Sequence, residues 1–329
     1  MTLRYYTMLL STLLSLSTFA ETVQSEISAQ MLICMTNQLK TATDNQTVAE
    51  LKTHCENKKV SPVAQRRLYE QQVKDNPFAI LPHKPNYLLP FTYSKVDTDI
   101  YDNTLGDGED FSPIEAKFQI SIKYIAWEDV IFNDIDMQFA FTATSWWQTY
   151  NSELSAPFRE TNYEPEVMFL YNKPWDFFGL PIDMTYLSFN HQSNGRGGEF
   201  SRSWNRIIGG IVINDDDITY SLKTWWRIPE DEKETPDDLG DDNPDIEDYL
   251  GHGELSAVWQ INNHHNLSIL LRNNFDSDNK GAVVLGWSYP INDHLQGYVE
   301  YFNGYGESLI YYNEHTQTIG FGIKLTDWL

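Results

Sequence analysis

The chain has 329 residues, a formal net charge of −24 and an aromatic content of 14%. This negative charge argues against nucleic acid as a partner, because phosphate binding needs a basic surface. After residue 20 no apolar run reaches the roughly 20 residues that a transmembrane helix needs. A membrane β-barrel is not excluded, since barrel strands carry their apolar residues only in alternation, and one barrel domain accounts for this length.

Residues 1–20 have the features of a secretory signal peptide. Arg4 gives a positively charged start, residues 8–16 form a short apolar core, and Ala20 ends a small-residue cleavage site. The apolar core is too short to span a bilayer, which argues against the alternative of a membrane anchor. We therefore expect an exported protein whose mature chain starts near Glu21.

Residues 21–80 form a polar extension, which we expect on the periplasmic side of the membrane. An amphipathic helix within it is predicted from the spacing of four apolar residues: Ala29, Leu32, Ile33 and Leu39. The only two cysteines of the chain, Cys34 and Cys55, both fall in this extension. Exported proteins meet an oxidising compartment, so a Cys34–Cys55 disulfide is favoured over two free thiols.

From about Asn86 onwards, apolar and polar residues alternate along segments of about ten residues. The alternation is clearest in residues 117–126, 136–144, 184–191 and 318–326. Several of these segments are flanked by Trp and Tyr, which favour membrane interfaces. Together with the signal peptide, the pattern predicts an all-β fold, a transmembrane antiparallel β-barrel over residues 81–329. It indicates about ten to twelve strands. A soluble β-sandwich or jelly roll is the alternative. The signal peptide and the aromatic flanks favour the membrane barrel over it.

An acidic run follows in residues 229–248, which hold eleven Asp and Glu residues. Such a run is typical of a solvated loop. A divalent-cation site is the alternative, because carboxylates bind Ca²⁺, although the spacing does not match an EF-hand loop.

The residues with most chemical content are His191, Ser193 and Asn205. On a β-strand, positions i and i+2 point to the same face, so His191 can act as a base for a Ser193 nucleophile. Asn205 follows a glycine-rich stretch and is placed to orient the histidine from the next strand. Leu187 and Phe189 share the face of His191, which indicates that the pair faces lipid and that lipid is the substrate.

The stretch between the two predicted strands, residues 194–203, is rich in glycine and serine. Its backbone amides, carbonyls and hydroxyls would stabilise an oxyanion directly or hold a hard cation that does so.

At these residues the sequence resembles the outer-membrane phospholipase A family of Gram-negative bacteria. The resemblance rests on residues 157–165 (PFRETNYEP), 190–196 (NHQSNGR), 201–206 (SRSWNR), 241–246 (DDNPDI) and 304–310 (GYGESLI). It extends from about Asn86 to the C-terminus.

The resemblance implies a twelve-stranded barrel of the bacterial outer membrane that hydrolyses acyl esters of phospholipids and lysophospholipids as a phospholipase A1/A2. It also implies dependence on Ca²⁺ and activity as a homodimer. His191 matches the base of the family, Ser193 its nucleophile and Asn205 the third member of its triad.

For calcium, the resemblance implies Ser201, the backbone carbonyl of Arg196, and Ser155 from the partner subunit. Asp242 matches one carboxylate of a second, low-affinity calcium pocket. The other carboxylate of that pocket is replaced by Gly198, which puts the pocket in doubt.

A second departure is Ala143, which stands where the family has a glutamine at the dimer interface. The acidic run and the segment with the two cysteines look like additions to the family's chain. A passive porin and a structural barrel without activity are the alternative functions.

Overall fold

In a computed structural model of the chain, the described residues are 35, 47–56, 62–73, 76, 78–94, 101, 110–131, 134–171, 173–215, 217–262, 265–292 and 295–326. The predicted signal peptide, the predicted helix around Leu32 and Leu39, and Cys34 lie outside these residues. Cys55 is buried and disulfide-bonded, and its pairing with Cys34 stays a prediction.

The chain divides into two compact units, residues 1–75 and 76–329. In the first unit, helix α1 covers Val48–Glu56 and helix α2 covers Pro62–Val73. Thr47 and Glu50 cap α1 reciprocally, since each side chain accepts a hydrogen bond from the backbone N–H of the other.

Strands dominate the second unit. In chain order they are β1 (Leu81–Pro82), β2 (Asn86–Ser94), β3 (Ile114–Ile131), β4 (Ile135–Trp147), β5 (Phe158–Tyr171), β6 (Trp175–Phe177), β7 (Leu180–Ile182), β8 (Met184–Ser193), β9 (Ser203–Asp215), β10 (Ile218–Arg227), β11 (Gly253–Asn262), β12 (His265–Asn273), β13 (Gly281–Asn292), β14 (Leu295–Tyr305) and β15 (His315–Thr326). A short helix, α3 (Ile246–Leu250), lies between β10 and β11.

The long strands form one closed antiparallel sheet. Each pairs with its neighbours in chain order, apart from the excursion of the small hairpin β6–β7 between β5 and β8. The ring closes because β15 pairs with β2, and β2 pairs with β3. Strand β1 is a two-residue addition to β3, so that the barrel itself has twelve strands. The predicted barrel is thereby confirmed, with the even strand number that membrane barrels prefer.

The alternation of the sequence becomes an alternation of burial. On β3, Ile120 and Ile122 are exposed on the outer surface, whereas Ser121 and Lys123 are buried on the inner one. Large apolar side chains are exposed all round the barrel, as expected where lipid replaces water. No helix among the described residues is long and apolar enough to cross a membrane.

The barrel interior is filled with ion pairs. Arg159 and Glu115 are both almost fully buried and meet at 2.6 Å, and Lys117 meets Glu300 at 2.8 Å. Buried charges need partners, because an unpaired one costs several kcal/mol. A packed, paired interior of this kind differs from the water-filled lumen of a porin.

The two ends of the barrel differ in their connections. One end has short turns, such as the connection from β9 to β10, whereas the other carries long loops, including residues 228–252 between β10 and β11. In outer-membrane barrels, the short turns are periplasmic and the longer loops extracellular. Both His191 and Asn205 lie at the long-loop end.

An apolar cluster closes the inside of this end. Its buried members come from β9, β10, α3 and the β14–β15 loop: Trp204, Ile208, Trp225, Ile246, Leu250, Leu309 and Tyr312. Because α3 contributes to this cluster, the long acidic loop is held down at its C-terminal side.

Candidate active site

Strands β8 and β9 bring His191 and Asn205 face to face. The two residues are directly opposite each other in the antiparallel register. His191 Nδ1 and Asn205 Oδ1 lie 2.8 Å apart, a normal hydrogen-bond distance. Since an amide oxygen only accepts, Nδ1 carries the proton and Nε2 keeps its lone pair. The histidine is therefore in the tautomer that a general base for a serine requires.

Ser193 lies two residues after His191, at the end of β8, and is opposite Ser203 on β9. Its side chain is on the same face of the strand as the imidazole. In the described part of the chain, no hydrogen bond joins its hydroxyl to His191. Such bonds are often long before substrate binds, so this arrangement is compatible with a nucleophile and its base.

The same face of β8 continues into the lipid-facing surface. Leu187 and Phe189, on the side of His191, are exposed, whereas Ser188 and Asn190 between them are buried in the barrel. An apolar groove of about 710 Å³ runs along this outer surface, lined by Leu187, Phe189, Gly209, Ile211 and Leu222 among others. At Gly209 a side chain would meet nothing within 4 Å, so glycine leaves the groove open. Its apolar lining is suited to acyl chains.

Asn194 holds the loop that joins β8 to β9. Its side-chain oxygen accepts hydrogen bonds from the backbone N–H groups of Arg196 and Arg202, and its amide donates to the carbonyl of Phe200. Asn194 is buried, and Gly195 beside it has a φ of +66°, which favours glycine. One side chain thus fixes the loop from which the predicted calcium ligands come.

Arg196 ties the same loop to the top of β5. Its guanidinium donates to the carbonyl of Arg159 at 2.5 Å and lies 3.4 Å from the carboxylate of Glu160. A guanidinium is cationic and has no acceptor atom, so the backbone carbonyl is the group of Arg196 that can serve as a ligand for a cation.

Asp242 connects the acidic loop to this site. One of its carboxylate oxygens accepts hydrogen bonds from the hydroxyls of Ser201, at 2.8 Å, and Ser203, at 2.9 Å. The other oxygen forms an ion pair with the ammonium of Lys233. Burial by itself raises the pKa of Asp242, but the hydrogen bonds from Lys233, Ser201 and Ser203 outweigh it and hold the pKa below its usual range.

The structure thus brings Ser201 and Asp242 together, in the same loop region as Arg196. Ser155 is separate. It lies in the β4–β5 loop with a φ of +60°, and among the described residues no contact joins it to the other three. Gly198 also has a positive φ, +63°, a conformation that an aspartate at this position would adopt only with strain.

The donors in this region are a hydroxyl, a carbonyl and a carboxylate, all oxygen atoms of the kind that Ca²⁺ prefers. Within the described ranges, no three His, Cys, Asp or Glu side chains cluster as a metal site. Two carboxylates of the acidic loop pair with bases, Asp241 with Arg227 and Asp242 with Lys233.

Three residues of the site have roles that the motifs did not indicate. They are Asn194, which holds the β8–β9 loop, Lys233, which pairs with Asp242, and Glu230. Glu230 accepts a 2.9 Å hydrogen bond from the Asn205 amide. The position of Asn194 at the strand end, just before a glycine, is a turn signal that was available in the sequence. Glu230 and Lys233 belong to the acidic run, in which Lys233 is the one basic residue and no local pattern distinguishes Glu230 from the other carboxylates.

A twelve-stranded barrel with hydrolase-type side chains on its lipid-facing surface defines a class, the enzymes of the bacterial outer membrane. The family model described as phospholipase A1 matches residues 63–325 of the chain. The chain belongs to the phospholipase A1 family.

Its relatives agree with this membership. The phospholipase A1 of Klebsiella pneumoniae is 34% identical over 78% of this chain and 85% of its own length. That of Salmonella typhi is 34% identical over 78% of this chain and 84% of its own length.

Solved structures show the same fold. Outer membrane phospholipase A from Escherichia coli matches with a TM-score of 0.70 and 33% identity, covering 78% of this chain and 95% of its own. The Salmonella typhi outer membrane phospholipase, solved as a dimer with bound calcium, matches with a TM-score of 0.71 and 32% identity, covering 79% and 97%. The predicted enzyme class, phospholipase, and the predicted location in the outer membrane are confirmed.

Proposed function

We propose that this outer-membrane phospholipase hydrolyses acyl esters of phospholipids and lysophospholipids with Ser193 as nucleophile, His191 as base and Asn205 as the residue that orients the base. The observation that carries the proposal is the 2.8 Å hydrogen bond between His191 Nδ1 and Asn205 Oδ1 on the lipid-facing side of β8. It leaves Nε2 of the imidazole unprotonated, two residues from a serine on the same face.

In the first half of the reaction, Ser193 Oγ attacks the acyl carbonyl carbon and its proton passes to His191 Nε2. The tetrahedral adduct then collapses, the ester C–O bond breaks, and the same proton passes to the departing lysophospholipid or glycerol oxygen. The acyl group remains on Ser193. Asn205 accepts from the Nδ1–H of His191 throughout, which keeps the imidazole in one orientation.

In the second half, water attacks the acyl-serine carbonyl and gives its proton to His191. Collapse returns the proton to Ser193 Oγ and releases the fatty acid, so that the enzyme is regenerated. The groove below His191 supports this sequence, because its apolar lining is suited to an acyl chain whose ester bond lies beside Ser193.

We also propose that the enzyme depends on Ca²⁺. Arg196 would contribute its carbonyl, Ser201 its hydroxyl, and the partner subunit its Ser155. Asp242, which accepts a hydrogen bond from Ser201, would contribute its carboxylate beside them. When bound, the ion supplies positive charge that stabilises the oxyanion of the tetrahedral adduct. The oxygen-only donor set and the Ser201–Asp242 hydrogen bond support this assignment.

The active form is proposed to be a homodimer. Two observations support it: among the described residues no contact joins Ser155 to Ser201 within one chain, and the similar Salmonella typhi enzyme was solved as a dimer with calcium. A second copy placed against the outer surface of the barrel would supply Ser155 and cover the apolar groove.

The test is fatty-acid release from phospholipid micelles by the purified protein, with calcium and with chelator. Ser193→Ala should abolish release while the barrel stays folded, as judged by its heat-dependent migration in gels. Ser188→Ala is the matched control, because this serine of β8 is buried and faces the barrel interior. Release that persists in Ser193→Ala would contradict the triad, and release unaffected by chelator would contradict the calcium requirement. Ion conductance without release would favour the porin alternative.

A further inference from the structure

A carboxylate lies directly behind Asn205. Glu230, three residues after the end of β10, accepts a hydrogen bond from Asn205 Nδ2 at 2.9 Å. The segment that carries it is fastened to the same strand position, since the N–H of Ile228 donates to the carbonyl of Asn205 at 2.8 Å. Side chain and backbone of Asn205 thus both contact the segment of residues 228–230.

This contact decides which way the Asn205 amide points. An asparagine side chain has one accepting and one donating end, and a half-turn exchanges them. An ionised carboxylate only accepts, so Glu230 keeps Nδ2 on its own side and leaves Oδ1 for His191. With the amide turned round, an N–H would face His191 Nδ1 and would favour the tautomer that cannot take a proton from Ser193.

The contact also places a negative charge near the imidazole. A serine triad commonly has a carboxylate as third member, which stabilises the imidazolium formed during catalysis. Here the third member is a neutral amide, and the carboxylate follows one residue further along the hydrogen-bonded row. The row runs from His191 through Asn205 to Glu230, at 2.8 Å and 2.9 Å.

Glu230 differs in this respect from the rest of the acidic run. Its side chain is half-buried, whereas Asp231, Glu232 and Glu234 are exposed. Pro229 restricts the backbone on its N-terminal side. On its C-terminal side, the carbonyl of Asp231 accepts a hydrogen bond from the N–H of Asp241 at 2.8 Å. These contacts on both sides fix the position of Glu230.

We propose that Glu230 is a positioning residue of the active site, which holds the Asn205 amide in its productive orientation and supplies the negative charge that the triad itself lacks. The proposal rests on the proposed function, in which Ser193, His191 and Asn205 perform the reaction. Glu230 acts only through Asn205 and does not touch the substrate.

The first test replaces Glu230 by glutamine, which keeps the size of the side chain and removes its charge. Outer-shell partners that orient a metal-ligating histidine contribute about tenfold to a hundredfold to activity. By analogy, we expect a fall in kcat of about tenfold with little change in KM. Glu234→Gln is the matched control, since it removes the same charge from the same loop at an exposed position. It should behave as the parent enzyme does.

The second test moves the charge along the row. Asn205→Asp alone places two carboxylates against each other and should lose at least as much activity as Glu230→Gln. In the double variant Asn205→Asp with Glu230→Gln, the carboxylate sits beside His191 and the amide behind it. This double variant should recover activity above that of Asn205→Asp, a coupling that independent structural damage does not produce.

Folding is checked for every variant by heat-dependent gel migration. The rate at which a sulfonyl fluoride labels Ser193 gives a second measure of serine reactivity, independent of lipid binding. Parent-like kcat and labelling in Glu230→Gln would overturn the proposal, and so would a double variant no better than Asn205→Asp. Failure of the proposed function would look different, because Ser193→Ala would then retain activity.

Discussion

The ammonium of Lys233 pairs with the carboxylate of Asp242, on the side opposite to the Ser201 hydroxyl. Lys233 belongs to the acidic run of residues 229–248. The resemblance to the family implies that Asp242 serves a second calcium pocket, whose other carboxylate is replaced by Gly198 in this chain. The ammonium of Lys233 would compete with a metal ion for the Asp242 carboxylate.

Removal of this lysine charge should make the site bind calcium more tightly. In Lys233→Met, one oxygen of Asp242 loses a charged hydrogen bond, worth about 1.5–3 kcal/mol, and becomes available to a metal ion. We expect the calcium concentration for half-maximal fatty-acid release to fall by about tenfold. Calorimetric titration with calcium gives the affinity without relying on activity.

Lys173→Met serves as the control for this prediction, because Lys173 pairs with Asp134 at the short-turn end of the barrel, opposite to the site. It should leave the calcium requirement unchanged. A higher calcium requirement in Lys233→Met would show instead that the ion pair is needed to hold Asp242 in place.

Asn194→Ala should loosen the loop between β8 and β9 without unfolding the barrel. The substitution removes three hydrogen bonds to that loop, each worth about 1 kcal/mol, and with them the fixed positions of Arg196 and Ser201. We expect weaker calcium binding and faster cleavage by trypsin at Arg196 or Arg202, measured by titration and by peptide mapping.

Asn273→Ala is the matched control for the loop. The side chain of Asn273 accepts a hydrogen bond from the backbone N–H of Phe275 and exchanges two with the side chain of Asn279, all at the β12–β13 loop. It should loosen that loop and leave calcium binding unchanged. Equal calcium affinity in the parent and in Asn194→Ala would mean that the β8–β9 loop is held by its other contacts.

Glu115→Ala should destabilise the barrel strongly. Glu115 binds the Arg159 guanidinium through two hydrogen bonds, of 2.6 and 3.0 Å, and both side chains are almost fully buried. Loss of one partner leaves a buried charge unpaired, which costs about 3–5 kcal/mol. Urea unfolding in lipid vesicles, followed by tryptophan fluorescence, measures the change.

The control for this prediction is Asp134→Asn, which breaks the ion pair of Asp134 with the exposed Lys173 at the short-turn end. An exposed pair contributes at most about 1 kcal/mol, so the midpoint of unfolding should hardly move. Similar losses of unfolding free energy in both variants would show that burial does not determine how much these ion pairs stabilise the barrel.

Much of the fold and part of the site were predictable from local pattern. A strand repeats every two residues, so the alternation around Ile120 and Lys123 predicted which side chains face lipid. The same period placed Ser193 on the face of His191. Asn205 lies 14 residues from His191, and its role depended on a strand register that the sequence only made plausible; the structure pairs the two residues directly.

In the acidic run, the local sequence pattern predicted a loop but not the partners of its side chains. Its composition predicted a loop, and residues 228–252 form one apart from α3. Nothing in the run separates Glu230, behind Asn205, from its exposed acidic neighbours. Lys233 stands out as the one basic residue of the run, but the sequence does not show that Asp242 is its partner. The contact of Glu230 joins residues 25 positions apart through the pairing of β9 with β10, whereas the contact of Lys233 joins residues 9 positions apart within the loop itself.

The sequence by itself determined that the chain is a membrane barrel and that the proposed nucleophile and base share its lipid-facing side, because both follow from the two-residue period of a strand. Only the tertiary structure decided which charges act on that pair. The partner of a side chain in a loop is set by how the loop folds back on the barrel, and the placement of Glu230 against Asn205 is fixed by strand register, Pro229 and the loop contacts together.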